Sequence, residues 1–214
     1  MASYATAALR GARGGGWDGL MDRLAGWAHS MAMDQPDAPD IQATLAGDSD
    51  AYARLVRRYQ NEISQRMWRF TRDRGELEEL VHDVFVEAYL SLKGFRGTAP
   101  FLHWLNRIAT RVGYRFWKTQ QRRARQEVPL QDWDGFAASE EKSMPAEEAA
   151  ELVHSLLAQL PPRDRLVLTL VYLEELSVAQ AAERTGWSQT MVKVQAHRAR
   201  KKLRALLEKA EELK

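Results

Sequence analysis

With 214 residues, a formal net charge of +2 and a pI of about 8.9, the chain has room for one large domain or two small ones, and its charges are segregated along it. It contains no cysteine, which excludes disulfides, thiolate zinc sites and a cysteine nucleophile. Its longest apolar run, residues 166–173, includes Thr169 and falls far short of the roughly 20 residues that span a bilayer.

Residues 1–40 hold three consecutive glycines (Gly14, Gly15, Gly16), little apolar periodicity, and Pro36 and Pro39. They are expected to form a disordered extension with a short amphipathic piece around Trp17 to Trp27, and they lack the continuous apolar core of a signal peptide. Met31 and Met33 stand just before the regular pattern, which suits a later start of translation.

From residue 41 to about 126 the pattern is helical. The Gly47-Asp48-Ser49-Asp50 cluster offers caps to a helix whose Tyr52, Leu55, Val56 and Tyr59 make an i, i+3, i+4, i+7 stripe. A second helix is expected through Ile63, Met67 and Phe70. A third begins after Gly75, with Leu77, Leu80, Val81, Val84, Phe85, Ala88, Tyr89 and Leu92 inward and Glu78, Glu79, Asp83 and Glu87 outward. Gly94 and Gly97 close it, and Pro100 opens the next.

The helix from Pro100 to Arg125 carries Arg107, Arg111, Arg115, Lys118 and Arg122 at steps of four, four, three and four, within an arc of about 80°. Leu105, Ile108, Ala109, Val112 and Phe116 occupy the neighbouring arc. No Asp or Glu occurs in residues 101–126, although a solvated basic face normally has acids at i,i+4 to relieve like-charge repulsion. Five uncompensated cations in a row therefore point to a polyanion. Trp104 and Tyr114 beside them suit stacking on unpaired bases, Trp104 being equally readable as core, and Trp117 lies further round.

Residues 127–151 hold eight acids against one base, Lys142, and are interrupted by Pro129, Gly135 and Pro145, the composition of a linker. Helices follow at about residues 145–160, 162–173, 177–185 and 188–212. Ser177 can cap the third of these, Gly186 suits its end, and Ser188 caps the fourth. In that last helix Val192, Ala196, Ala199, Leu203 and Leu206 form one stripe, while Gln189, Thr190, Lys193, His197, Arg200, Lys201 and Arg204 lie outside it. Residues 177–204 carry seven Lys or Arg against one acid, Glu183, the pattern of a helix-turn-helix that offers its second helix to DNA, with a solvated amphipathic helix pair as the alternative on these residues alone. The fold expected is all-α: two small helical domains, residues 41–126 and 146–210, joined by the acidic linker 127–145, with no strand pattern and no repeat.

Gly47 to Tyr52 through Tyr59, the run Glu79 to Tyr89, Phe95-Arg96-Gly97 and Phe101 to Thr110 resemble the second region of bacterial RNA polymerase sigma factors of the extracytoplasmic-function (ECF) group. Leu160 to Arg165, Val192-Lys193 and His197 to Leu203 resemble their fourth region, the helix-turn-helix. The resemblance covers about residues 41–126 and 146–207. It implies a promoter-specificity subunit, not an enzyme, cytoplasmic, with no cofactor, metal or small-molecule substrate. Its implied partners are the polymerase core through the beta-prime clamp helices and beta flap, promoter DNA, and an anti-sigma factor that holds it inactive, in some cases at the membrane. Glu79, Asp83, Phe85 and Glu87 would meet the core, Asp83 and Glu87 foremost. Trp104, Arg107, Arg111, Tyr114, Arg115, Lys118 and Arg122 would hold the −10 element. Ser188, Gln189, Thr190, Lys193, Val194, His197, Arg198, Arg200 and Lys201 would hold the −35 element, and the acidic linker would lie in the channel that later takes RNA.

The chain departs from the family pattern in two places. Arg111 and Arg115 stand where Asn and Asp are frequent and raise the positive charge, so backbone contact is expected to weigh more there. Val194 and Gln195 replace a frequent Ser-Arg pair in the recognition helix, exchanging a phosphate or base contact for an apolar or amide one. A stand-alone repressor or response-regulator output module would need a dimer interface or receiver domain in place of the N-terminal motifs. A metal phosphohydrolase reading of His82-Asp83 finds no ligand-spaced set among His29, His82, His103, His154 and His197.

Overall fold

The computed structural model of the chain describes residues 36–126 and 146–212, all of whose regular structure is helical. The expectations for residues 1–35 and for the linker 127–145 lie outside the described residues. In order come α1 (Ala38–Leu45), α2 (Ser49–Met67), α3 (Arg74–Ser91), a 3₁₀ turn (Leu92–Gly94), α4 (Phe101–Gln126), α5 (Ala146–Ala158), α6 (Pro162–Leu168), a π-helical turn (Thr169–Leu173), α7 (Val178–Thr185) and α8 (Gln189–Glu212). By backbone contacts they form two compact units. One comprises the described residues up to Tyr59 with Tyr89–Trp104, and the other comprises Gln60–Ala88 with the described residues from Leu105 onward.

In the first unit, the sequence places two carboxylates opposite two arginines. Asp40 accepts from Arg54 Nε at 2.8 Å and from Arg58 Nη2 at 2.9 Å, and Asp37 accepts from Arg58 and, at 2.6 Å, from the Tyr59 hydroxyl. The Arg54 hydrogen bond, against the cost of burial, holds the Asp40 carboxyl below the ordinary carboxylate range. This clasp orders α1 from Ala38, earlier than hydrophobic periodicity alone indicates. The Asp48 side chain accepts from the backbone N–H of Asp50 and Ala51 and caps α2. An aromatic group of Tyr59, Phe95, Phe101 and Trp104 fills the interior, with ring centroids 5.3–5.7 Å apart.

The two helices expected across residues 49–70 are one. α2 runs unbroken to Met67, and Ile63 and Met67 are buried on it while Phe70 falls in the turn beyond. α3 starts at Arg74, ahead of Gly75, because Asp73 accepts the Glu76 N–H at 2.8 Å and acts as its N-cap.

In the second unit, Phe70 stacks on Trp117 at 4.5 Å, and the Trp117 indole N–H donates to the Phe70 carbonyl at 2.7 Å. Gly113 in α4 passes so near that a Cβ there would lie 2.3 Å from the Phe70 ring. The helix expected over residues 162–173 is regular only to Leu168 and then widens, with the Glu174 N–H bonding the Thr169 carbonyl five residues back. That widening ends on Glu175 at φ 53° and presents the Leu173 carbonyl to Arg69 and the Glu174 carboxylate to Arg66. α8 packs on α6 and α7 through small buried residues, Ala181, Ala182, Ala196 and Ala199, with Val192.

Candidate nucleic-acid interface

The helix-turn-helix is built by its caps. The Ser177 hydroxyl accepts from the Gln180 backbone N–H while the Gln180 side chain accepts from the Ser177 backbone N–H, a complete capping box. Gly186 closes α7 at φ 75°, a conformation that strains any residue with a Cβ. Ser188 then caps α8 by accepting from the Met191 N–H at 3.1 Å, so its hydroxyl is already engaged.

On α8 the residues Gln189, Thr190, Lys193, Val194, His197, Arg198, Arg200 and Lys201 are all exposed. Lys202 and Gln195 are instead held by Asp164, a buried carboxylate of α6 that accepts from Gln195 Nε2 at 2.5 Å and Lys202 Nζ at 2.6 Å. This double contact fixes the rotation of α8 about its axis. It also engages the amide of Gln195, so of the two departures from the family pattern on α8 the apolar one, Val194, is the exposed one. Local sequence pattern does not show this brace, because Asp164 lies 31 and 38 residues from its two partners.

On α4, Arg107, Arg111, Arg115, Lys118 and Arg122 are exposed, as the spacing indicates. They are not an uncompensated row. Glu87 of α3 bridges two of them, with Arg111 Nη2 at 3.1 Å and Arg115 Nη2 at 2.9 Å. The charge that Arg111 and Arg115 add to this face is therefore partly offset by an acid from a neighbouring helix, which the composition of α4 alone cannot reveal. Lys118 lies over the Tyr114 ring at 5.7 Å, and the edge of Tyr114 meets Trp187 at 6.5 Å. Trp104 is half-buried in the aromatic group of the first unit. Trp117 is core.

The arrangement on α3 corrects part of the expected docking face. Glu79 and Asp83 are exposed, but Phe85 is only 7% exposed and packs inward, and Glu87 is engaged with α4. Tyr89, expected inside, is exposed and meets the Tyr52 ring edge-on at 5.0 Å. Val86 and Leu90 are also exposed on α3, Leu90 at 76%, and the sequence pattern did not single them out because the helix is apolar on several sides.

Beneath α4 lies a seam rich in arginine. Arg66 pairs with Glu174, and the Arg165 guanidinium lies 4.0 Å over the Trp117 ring and 3.2 Å from a ring nitrogen of His154. Burial, with the charge of Arg72, pushes Arg165 down to about 10. Burial and then the charges of Arg165 and Arg72 hold His154 down to about 4. Burial and Arg66 likewise lower Arg184. Among the described residues no helix is long and apolar enough to cross a membrane.

The family described as Sigma-70 region 2 matches residues 55–123, and Sigma-70, region 4, matches residues 150–203. The chain is 30% identical over 161 residues to the RNA polymerase sigma-H factor of Pseudomonas aeruginosa, covering 71% of this chain and 83% of that protein. It is 28% identical over 162 residues to the ECF RNA polymerase sigma-E factor of Haemophilus influenzae, covering 72% and 85%. Among solved structures, CnrH in complex with the cytosolic domain of CnrY is similar at 27% identity and a TM-score of 0.53, covering 80% of this chain and 97% of that one. The fold is shared with the sigma factor RpoE of Bartonella quintana, solved with the anti-sigma factor NepR, at 18% identity, a TM-score of 0.50, and coverage of 73% and 96%. The order and spacing of the two regions, with a capped helix-turn-helix in the second, make the conclusion plain: this chain belongs to the RNA polymerase sigma factors of the sigma-70 family, in the ECF group.

Proposed function

We propose that the chain joins the RNA polymerase core and directs initiation by holding two promoter elements, the −10 element through residues 41–126 and the −35 element through residues 146–210. The observation that carries this is the set of exposed cations Lys193, Arg198, Arg200 and Lys201 on α8, which have no acidic partner among the described residues, on a helix whose orientation is fixed by caps and by the pairing of Asp164 with Gln195 and Lys202. The −10 contacts fall to Arg107, Lys118 and Arg122, with Arg111 and Arg115 released from Glu87 on contact with phosphate, and with Trp104 and Tyr114 as stacking surfaces. Glu79 and Asp83, flanked on α3 by Val86 and Leu90, would meet the clamp helices of the core, and residues 146–210 would also meet the beta flap. The linker 127–145 would occupy the RNA channel.

The protein is read as a DNA-binding regulator without catalysis of its own, working in the cytoplasm. A protein inhibitor is supported by the solved relative CnrH, which is in complex with the cytosolic domain of CnrY. Transcription in vitro with purified core polymerase on a genomic library tests the reading: transcripts with defined starts are expected only when the chain is added. Runoff from random ends alone, with no association with core, would remove it.

A further inference from the structure

Val194 occupies the pole of the outward face of α8. At about 100° per residue, Thr190, Arg198 and Lys201 fall within about 40° of it, whereas the buried Val192 and Ala196 lie about 160° away. It is 44% exposed, an apolar, β-branched side chain among cations on the surface that the proposed function turns toward DNA. Its neighbour Gln195 is tied to Asp164, and Lys202 holds the other carboxylate oxygen, so α8 cannot roll to bury Val194 without breaking both contacts. An exposed valine has no hydrogen bond to offer a base edge. The one apolar group that a base pair presents in the major groove is the thymine 5-methyl.

We infer that Val194 reads a thymine by packing its γ-methyls on that 5-methyl group, with Asp164 as the positioning residue that holds α8 in the reading orientation. The inference rests on the proposed −35 role of α8 and adds to it a base identity and the chemical group recognised. Lys193, Arg198 and Lys201 around it supply the sequence-independent attraction to phosphate, and Val194 the discrimination.

The test uses the full chain with core polymerase. Bound duplexes are first selected from a random pool, and each thymine of the upstream element is then replaced by deoxyuridine, which removes only the methyl. At one thymine the replacement is expected to weaken binding roughly fourfold, the worth of one buried methyl group. In Val194→Ala the same replacement should change nothing, and in Lys193→Ala binding should weaken while the fourfold effect persists. If wild type is indifferent to every replacement, or if Val194→Ala retains the full penalty, the inference fails while the sigma reading stands, because selected duplexes were still bound. Reduced core association by Val194→Ala with an unaltered methyl effect would make the residue a protein contact and overturn the inference. If no duplex is selected, the sigma reading fails and this one with it.

Discussion

α4 and α8 carry similar rows of cations, yet the fold gives them different electrostatic surroundings. Arg111 and Arg115 on α4 share Glu87, whereas Lys193, Arg198, Arg200 and Lys201 on α8 have no carboxylate partner among the described residues. The carboxylate that reaches α8 comes from α6 and is taken up elsewhere: Asp164 is buried and bound to Gln195 and Lys202. A row of like charges on one helix therefore measures what that helix brings to an interface, and the neighbouring helix decides how much of it a polyanion must compete for. α8 is a standing cationic surface; the central cations of α4, Arg111 and Arg115, already hold a carboxylate.

The comparison can be broken most severely from beneath α4. Gly113→Ala would ordinarily stabilise a helix interior by about 1 kcal/mol. Here the added methyl meets the Phe70 ring, and overpacking of about 1–3 kcal/mol is expected to exceed that gain. Thermal or denaturant unfolding should show a net loss of stability; an increase would mean that Phe70 moves freely.

On α8, Lys193→Ala and Arg200→Ala should each lower the slope of log K against log salt by about one unit, with little change in melting temperature. An unchanged slope for both would remove α8 from the interface. On α4 the expected sign depends on the acid. Arg111→Ala or Arg115→Ala should lower the slope by less than the α8 changes do, since each cation lost leaves Glu87 closer to its remaining partner. Glu87→Gln should steepen the slope and tighten binding, and weaker binding by that variant would contradict the competition between Glu87 and phosphate.

The smallest effect concerns pH. The folded chain holds His154 near 4, below its ordinary 6.5, so between these values the unfolded chain binds the proton more readily. Stability should therefore fall as pH drops from about 6.5 toward 4 and be insensitive to His154 above that window. His154→Gln should flatten this part of a stability profile while leaving the salt slope of α8 unaltered.

Local signals carried much of this architecture in the sequence. Ser177 with Gln180, Gly186 and Ser188 mark helix ends through bonds reaching three or four residues, and the structure makes those bonds. The exposed faces of α4 and α8 follow from a fixed helical period. The local pattern does not show the Glu87 bridge or the Asp164 brace, whose partners lie 24 to 38 residues away. Two local signals are outweighed by stronger ones: Gly75 masks Asp73 as the mark of a helix start, and Phe70, by continuing the apolar period, carries the expected helix past the turn that follows Met67. Tyr89 is expected inside because an aromatic ring at a stripe position ordinarily is, yet it is exposed.

The chain's own order of residues thus determined its helical class, its caps, the helix-turn-helix and the arcs on which its cations stand, because each is set within about one or two turns of backbone. Tertiary structure decided which of those cations are offset, that Phe85 and Trp117 are core, that Gln195 is a brace and that Val194 remains outermost. Coulombic pairing and burial act through space, and the distance between Glu87 and Arg111 in the fold has no counterpart in the 24 residues that separate them along the chain.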